Sequence, residues 1–393
     1  MEKIQLKIKE LSIILNNKCN LNCEYCFENN YNKNNKEISE DIINYIIKFI
    51  DHNIKDKLEI NLIGGEPLLS YNKILYILNI LKQKDYKNNL IMKLFTNGTI
   101  YNENILKELN NFKHNIIITK DSYPDLQYKS GYYEQINKNI EKFKKYTNNV
   151  FIHHLLTKKS IDKLENILQY KINNNELNIP FNLEYLKNKN NISYKDFNKI
   201  ITVINNICQK NNLSPSQKLK IDWMFNNIHI FSDYKQYMYD LTLKSKCKCE
   251  GGLKQFYIRY DGTILPCDRL LDNDYLKKQQ LPNIKEVIDN NVDIYNYDIF
   301  NFLKNNNIEK SELGYDCNEC IFKFTCETCR IESYVKDKEN LIYHSKEKCN
   351  RTLDKNNALL DFYIKNIENE INSRIDLKKT LFNLYVERMN TLL

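Results

Sequence analysis

The sequence lacks the features that would place the protein in a membrane or outside the cell. None of its apolar runs reaches the roughly 18 residues that a membrane-spanning helix needs, so no membrane partner is expected. The N-terminus, Met1-Glu2-Lys3-Ile4-Gln5, has no apolar core of the kind that a signal peptide contains. We therefore expect a cytoplasmic protein.

The sequence also has no block of about five or more like charges, although its net charge is +8. Lysines are interleaved with acidic residues and asparagines, which is typical of a solvated surface. The alternative is attraction to an acidic partner, such as an acidic peptide or RNA. A nucleic-acid partner is not favoured, because RNA binding would require a clustered basic patch.

Cysteine, by contrast, is concentrated at short spacings. The chain has twelve cysteines, and this clustering in a cytoplasmic protein indicates metal binding rather than disulfides. Cys19, Cys23 and Cys26 form the pattern C-x3-C-x2-C, after a predicted strand at 11–15. Three thiolates on one loop can hold three corners of an iron–sulfur cube, which normally takes four cysteines. One iron would then remain open to a substrate or cofactor; a zinc knuckle is the alternative.

This loop resembles the signature of the radical S-adenosylmethionine (radical SAM) superfamily. The resemblance implies a [4Fe–4S] cluster whose open iron is chelated by the amino and carboxylate groups of SAM, with Tyr25 near the adenine. It also implies that the reduced cluster cleaves SAM to a 5′-deoxyadenosyl radical, which abstracts a hydrogen from the substrate. An electron donor such as flavodoxin or ferredoxin is then required.

Short apolar runs alternate with helical patterns from residue 11 to about residue 186. This alternation implies a parallel sheet with crossover helices and an active site at the carboxyl ends of the strands. Six such units resemble the partial (β/α)6 TIM-like barrel of radical SAM enzymes. The further predicted strands are 58–63, 90–95, 115–118, 150–156 and a candidate at 179–185; the predicted helices are 41–50, 71–81, 131–143 and 161–170.

Two predicted strands end in motifs that resemble SAM contacts of the family. Gly64, Gly65 and Glu66 follow the second strand. Paired glycines let a backbone come close to a ligand, and the resemblance implies a contact with the SAM amino group. Thr96 and Asn97 end the third strand, where the family places ribose or carboxylate contacts.

The next strands carry weaker matches. Related maturases have Ser-x-Asp-Gly at the end of the fourth strand, where this chain has Thr119 and then Ser122 in place of the glycine. Thr119 is expected to keep the hydroxyl contact to SAM. The family's carboxylate-binding arginine is not visible, and Lys129 offers only a point charge. On the fifth strand, either His153 or His154 should face inward, where a packed histidine is one interpretation.

Cysteine density rises again after residue 246. The pattern resembles the SPASM domain, the C-terminal extension of peptide- and protein-modifying radical SAM enzymes. In the quartet Cys317, Cys320, Cys326 and Cys329, the spacing between the last two cysteines is one residue shorter than in the SPASM pattern. That resemblance implies two auxiliary [4Fe–4S] clusters, and therefore three clusters in all. A pair of zinc sites is the alternative, since C-x2-C is also zinc spacing. The first auxiliary set is Cys249, Cys267 and Cys329, with Cys247 as the candidate fourth ligand, and the second is Cys317, Cys320, Cys326 and Cys349.

These features predict an α/β protein in four segments. They are the radical SAM core (1–200), an irregular bridging segment (201–246, with irregularity from about 187), the SPASM auxiliary-cluster domain (247–350) and a C-terminal helical segment (351–393). Because the barrel starts so early, we expect no separate peptide-recognition domain in front of it.

The resemblance implies an enzyme that oxidatively modifies or crosslinks a side chain of a peptide or protein. The product would be a crosslink in a ribosomal peptide or formylglycine in a sulfatase. Asp268 follows Cys267 where anaerobic sulfatase-maturating enzymes carry their general base; support of Cys267 is the other interpretation. The alternative functions are a small-molecule radical SAM dehydrogenase, an RNA-modifying radical SAM enzyme, or a non-catalytic zinc scaffold.

Overall fold

The computed structural model describes residues 6–21, 23, 35–120, 131–155, 161–173, 181–182, 193–224, 250–271, 280–305, 310–311, 343–344 and 346–370. The chain forms two compact units. The first comprises Met1–Leu155 and Cys249–Asn306, and the second comprises Leu156–Lys248 and Asn307–Leu393. Each unit therefore combines segments that are far apart in sequence.

Strands of the first unit form a mainly parallel sheet. Along the chain, the strands are β1 (Glu10–Ile14), β2 (Leu58–Ile63), β3 (Leu90–Thr96), β4 (Lys113–Lys120), β5 (Val150–Leu155), β6 (Phe181–Asn182), β7 (Gln255–Ile258), β8 (Ile264–Leu265), β9 (Lys310–Ser311) and β10 (Tyr343–His344). Within the first unit, the order is β5-β4-β3-β2-β1-β7-β8. All neighbours are parallel except β7 and β8.

The α-helices follow the strands in alternation over the first half of the chain. They are α1 (Glu40–Asn53), α2 (Tyr71–Leu81), α3 (Glu103–Leu109), α4 (Tyr133–Tyr146), α5 (Leu164–Asn173), α6 (Tyr194–Lys210), α7 (Pro215–Met224), α8 (Ile284–Asp289), α9 (Asp298–Asn305) and α10 (Lys346–Glu370). In α1, Ile42, Ile43, Ile46 and Ile50 are buried at helical spacing, and Ser39 caps the first turn. Among the described residues, no helix is both long and apolar enough to cross a membrane.

Along β3, the two faces of this sheet differ in burial. On β3, Leu90, Met92 and Leu94 are fully buried, whereas Ile91, Lys93 and Phe95 are only half-buried. The fully buried face lies under helices, as shown by Lys120 of β4, whose Nζ is 4.9 Å from the ring centroid of Tyr133 on α4. We call the opposite one the inner face. It carries Glu10, Ser12, Ile14, Glu59, Asn61, Ile63, Ile91, Lys93, Phe95, Asn115, Ile117, Thr119, Phe151, His153, Gln255 and Tyr257.

The second unit contains a helix where the sequence predicted an irregular bridge. Helix α6 begins with a capping box, in which Ser193 and Asp196 satisfy each other's backbone N–H groups. Ile200, Ile204 and Ile207 then form a buried stripe. The helix packs against α5 and α10. The prediction of irregularity over 194–210 was therefore wrong, because the polar Asn/Lys composition concealed an amphipathic pattern.

Candidate functional site

The cysteine loop begins against the turn that follows β2. Gly65 N donates to Asn16 O (3.1 Å), and Glu66 N donates to Lys18 O (2.6 Å). A Cβ atom on Gly65 would lie 2.3 Å from Lys18 O, and one on Gly64 would lie 2.8 Å from Asn16 O. Two backbones thus touch here, and only glycine leaves room for both. The glycine pair therefore brings this turn against the cysteine loop, in agreement with the expectation that both motifs meet at the carboxyl ends of the strands.

Asn16 fastens the start of the cysteine loop to this turn. Its side chain is fully buried. Nδ2 donates to Glu66 O (3.1 Å) and to Ser70 Oγ (2.6 Å), while Oδ1 accepts from Lys18 N (3.1 Å). The sequence analysis did not identify Asn16 as part of the site; the one available signal was a polar residue placed directly after a buried strand.

Glu66 connects the turn after β2 to the end of β3. Its side chain is 0% exposed. Oε1 accepts from Leu68 N (3.0 Å) and from the Thr96 hydroxyl (2.8 Å), and Oε2 accepts from Asn97 N (2.7 Å). Three protein donors therefore point at one carboxylate, which fixes the position of Asn97.

Asn97 in turn holds the cysteine loop. Its Nδ2 donates to Asn20 Oδ1 (2.9 Å) and lies 3.8 Å from Cys19 Sγ. Its Oδ1 accepts from Thr99 N (2.9 Å) and from the Thr99 hydroxyl (2.6 Å), and Asn20 Nδ2 donates to Thr99 Oγ1 (2.8 Å). Leu21 N also donates to Cys19 Sγ (3.4 Å). Asn20 and Thr99 are site residues that the sequence analysis missed, because no local pattern marks them.

Helix α4 supports the same turn from the other side. Asn139 Nδ2 donates to Gly98 O (2.9 Å), and Gln135 Nε2 donates to Thr99 O (2.6 Å). Gly98 has φ +77°, and a Cβ there would lie 2.7 Å from Ile118 Cγ2, so glycine is required on both counts. The turn after β3 is therefore held by the sheet, the helix and the cysteine loop together.

The described cysteines of the loop suit a metal cluster. Cys23 is 8% exposed and Cys19 is half-buried. Burial raises the pKa of the Cys19 thiol, and the nearby Glu66 and Cys23 raise it further. The hydrogen bonds from Leu21 and Asn97 lower this pKa, but by less. A bound cation would favour the thiolate that metal ligation requires. Two donors aimed at one sulfur fit an iron–sulfur ligand, whose sulfurs are commonly hydrogen-bonded. Tyr25 and Cys26 lie outside the described residues.

Thr119 and His153 lie side by side at the carboxyl ends of β4 and β5. They are paired in register and are both half-buried. The His153 ring meets the Phe95 ring edge-on, with centroids 6.5 Å apart. Burial lowers the pKa of His153 and so favours the neutral imidazole. The register with Thr119 and the contact with Phe95 show that His153 faces inward. Ser122 and Lys129 lie outside the described residues.

Cys267 and Asp268 follow the β7–β8 pair, which extends the sheet beside β1. The Cys267 thiol donates to Asp268 Oδ1 (3.1 Å). Tyr257 of β7 lies close enough to both for their charges to affect it. Burial raises the pKa of the Tyr257 hydroxyl, and the negative charges of Asp268 and Cys267 raise that pKa further. Gly262, in the turn between β7 and β8, has φ +85° and would place a Cβ 2.9 Å from Ile42 Cδ1 of α1.

The remaining predicted cluster ligands are not brought together by the described part of the chain. Cys349 lies on α10 in the second unit and is 8% exposed. No group of three or more His, Cys, Asp or Glu side chains with metal-binding geometry occurs among the described residues. The predicted ligands outside the described residues are Cys247, Cys249, Cys317, Cys320, Cys326 and Cys329.

Comparison with known proteins identifies relatives of this chain. The sequence profile of the Radical SAM superfamily matches residues 13–170. The radical SAM cyclopropyl synthase TigE of Paramaledivibacter caminithermalis is 30% identical over 213 residues, which cover 49% of this chain and only 44% of that enzyme. A cysteine-type anaerobic sulfatase-maturating enzyme of Clostridium novyi is 25% identical over 302 residues, covering 68% of this chain and 76% of that one.

Solved structures show the same fold. The enzyme anSMEcpe, solved with bound AdoMet and the Cp18Cys peptide, superposes with a TM-score of 0.64 at 17% identity, covering 93% of this chain and 99% of that one. Streptococcus suis SuiB bound to its precursor peptide SuiA gives a TM-score of 0.58 at 17% identity, covering 87% and 76%. These structures share the parallel α/β fold of this chain, and the profile match identifies residues 13–170, which include the cysteine loop, as a radical SAM domain.

Proposed function

We propose that the protein is a radical SAM maturase that oxidatively modifies or crosslinks a side chain of a peptide or protein. The observation that carries this proposal is the hydrogen-bonded unit formed by the cysteine loop, the Gly64–Glu66 turn and the Asn97–Thr99 turn. This unit stands at the carboxyl ends of parallel strands, where such folds place their catalytic groups. The name of the sulfatase-maturating relative and the peptide-bound structures support a peptide or protein substrate.

The chain offers residues for the cofactors in this proposal. Cys19, Cys23 and Cys26 would hold the SAM-binding cluster, and the Gly64–Glu66 turn, Thr96, Asn97, Thr119 and Tyr25 would surround SAM. When bound and reduced by flavodoxin or ferredoxin, the cluster and SAM supply a 5′-deoxyadenosyl radical that removes a hydrogen atom from the substrate. The glycine pair and Glu66 keep the cysteine loop and the turn after β3 in a fixed relation, so that SAM would be oriented before reaction.

The C-terminal cysteines would supply the second half of the oxidation. Removal of a hydrogen atom leaves a substrate radical, which must lose an electron and often a proton to complete a two-electron oxidation. Two auxiliary clusters held by the SPASM-like cysteines would accept that electron. Asp268 would accept the proton, and its direct contact with Cys267 (3.1 Å) would place it at the edge of one auxiliary cluster.

Cluster content tests the metal assignment. The protein, reconstituted without oxygen, is expected to contain iron and acid-labile sulfide for three [4Fe–4S] clusters and to cleave SAM to 5′-deoxyadenosine. Replacing Cys19, Cys23 and Cys26 with alanine should remove one third of the iron and all SAM cleavage. The matched control is Cys208→Ala, a buried cysteine on α6, which should change neither. Unchanged iron in the triple variant, or zinc in place of iron, would contradict the proposal.

Asp268→Asn tests the role of the base. It is expected to keep clusters and SAM cleavage, since hydrogen abstraction precedes deprotonation, but to lower product yield by about two to four orders of magnitude. The measurement is product and 5′-deoxyadenosine in parallel, with a precursor peptide or sulfatase encoded beside the gene as substrate. Asp261→Asn, in the turn between β7 and β8, removes a carboxylate that binds Arg259 and serves as the control. Equal loss of product and 5′-deoxyadenosine would instead assign Asp268 a structural role.

A further inference from the structure

The inner face carries a polar region nearer the amino ends of the strands than the candidate active site. An apolar row formed by Ile14, Ile63, Phe95 and Ile117 lies between this region and Thr119. The strand register aligns Ser12 with Asn61 and with Tyr257, and Glu10 with Glu59 and with Gln255. Lys93 lies beside Asn61. Tyr257 also lies near Cys267 and Asp268, but Glu10, Asn61 and Lys93 take no part in the site described above.

Asn61 has a buried oxygen that lacks a donor. The residue is 4% exposed. Its Nδ2 donates to Glu10 Oε1 (2.6 Å) and to Ser12 Oγ (3.0 Å). Within the described ranges, its Oδ1 has no hydrogen-bond partner. Buried polar atoms are nearly always paired, so this oxygen requires an explanation.

Charge in the same region is also unbalanced. Glu59 forms an ion pair with Lys93. Among the described residues, Glu10 has no cationic partner, and its one hydrogen-bond donor is the Asn61 amide. Two carboxylates and one ammonium leave one net negative charge on a half-buried surface, where charges are normally paired.

Acceptors outnumber donors on this surface. The Tyr257 hydroxyl accepts from Gln255 Nε2 (3.3 Å), and Tyr257 is paired with Ser12 in the strand register. Among the described residues, no donor reaches Asn61 Oδ1, and Glu10 accepts at Oε1 only. A group with positive charge and several N–H donors would pair with both side chains.

A cavity gives access to this region from the amino ends of the strands. It has a volume of about 970 Å³, and Glu10, Glu59 and Gln255 line it. It is also lined by Lys7, Lys9, Lys55, Lys57 and Lys254. Lys9 and Lys254 both bind Glu250, so their charges are partly compensated. Glu10 faces the cavity directly, and Asn61 is hydrogen-bonded to Glu10.

We propose that Glu10 and Asn61 form a cation site that binds a primary ammonium group entering through this cavity. An ammonium has three N–H donors and no acceptor, which matches the Glu10 carboxylate and Asn61 Oδ1, with the Tyr257 hydroxyl beside them. The group is carried either by a lysine side chain of a peptide or by a free amine. The inference does not depend on the proposed function, because it involves neither the clusters nor SAM.

Thermal unfolding of the full-length protein tests the site, because a ligand that binds only the folded state raises Tm. The probes, compared at constant ionic strength, are n-butylammonium as a free amine, N-acetyl-lysine methylamide as a peptide lysine, potassium, and tetramethylammonium, which has no N–H donors. We expect a saturable rise in Tm with one or both of the first two probes and none with tetramethylammonium. Whichever of the two binds more tightly identifies the source of the ammonium group.

Two variants change the affinity in opposite directions. Glu10→Gln should weaken ammonium binding by about 10- to 100-fold, the effect of losing a charged hydrogen-bond partner. Asn61→Asp should tighten it, because a second carboxylate replaces the oxygen without a donor. Glu103→Gln, an exposed carboxylate on α3 that does not line the cavity, is the matched control and should leave the affinity unchanged.

Several results would overturn the proposal. They are no saturable rise in wild-type Tm with either ammonium probe, an equal rise with tetramethylammonium, saturation by potassium alone, or weaker binding in Asn61→Asp than in wild type. The wild-type titrations decide the question even if one variant fails to fold.

Discussion

Replacing Glu66 with glutamine is expected to weaken the connection between the ends of β2 and β3. The carboxylate accepts from Leu68 N, the Thr96 hydroxyl and Asn97 N. Glutamine has the same shape but only one acceptor oxygen. If its NH2 group takes the Oε2 position, it faces the Asn97 N–H; in the opposite orientation it faces the Leu68 N–H. In either case one buried backbone N–H loses its acceptor.

The size of the effect follows from this count. A hydrogen bond to a charged group contributes about 1.5–3 kcal/mol, and a buried donor left without an acceptor costs about 1–3 kcal/mol. We therefore expect the free energy of unfolding to fall by about 2–4 kcal/mol. Because Asn97 holds Asn20 and lies beside Cys19, the cysteine loop should also bind SAM less tightly.

Urea unfolding followed by circular dichroism measures the loss of stability. Glu59→Gln is the matched control, since Glu59 is on β2, the strand that precedes the Glu66 turn, but forms only an ion pair with Lys93, with side chains 36% and 23% exposed. Such a pair contributes less than about 1 kcal/mol. Equal losses in the two variants would refute the reasoning about Glu66.

Two further predictions follow from the same site. Gly65→Ala should lower the free energy of unfolding by about 2 kcal/mol or more and reduce the iron bound per chain, because its Cβ would lie 2.3 Å from Lys18 O. Gly131→Ala is the control, since Gly131 has φ +87° but no atom within 4 Å of the added Cβ, and its effect should be smaller. Equal effects of the two substitutions would contradict the steric argument. Burial lowers the pKa of His153, so the imidazole binds a proton more readily in the unfolded chain than in the folded one. Its contribution to stability should therefore be constant above about pH 6.5 and fall as the pH decreases below that value. His153→Phe should reduce this slope in urea unfolding between pH 5 and pH 7.5; an unchanged slope would count against it.

Sequence patterns predicted the elements that are defined by local periodicity. The predicted strand at 58–63 and the predicted helix at 71–81 coincide with β2 and α2. The motifs after β2 and β3 were placed at the carboxyl ends of these strands for the same reason, since a buried apolar run marks a strand and the polar residues beyond it mark its end.

What the sequence did not predict depends on side chains and on long-range pairing. Asn16, Asn20 and Thr99 acquire their roles only when three separate turns meet. The parallel pairing of β7 with β1 leaves no periodic trace, because each strand alone is only a short apolar segment. Helix α6 differs from these: the Ser193-x-x-Asp196 capping box was visible in the sequence, and the polar composition around it led to the wrong prediction.

The position of β7 has a consequence for biosynthesis. Strand β7 begins at Gln255, 241 residues after β1 ends at Ile14. At a translation rate of about 5–20 residues per second, roughly 12 to 48 s pass between the synthesis of the two strands. Throughout that time, the side of β1 that later pairs with β7 is an open backbone edge, of the kind that recruits other chains into aggregates. The nascent chain therefore has to be shielded, by the ribosome surface or by a chaperone, until its own later segment covers the edge.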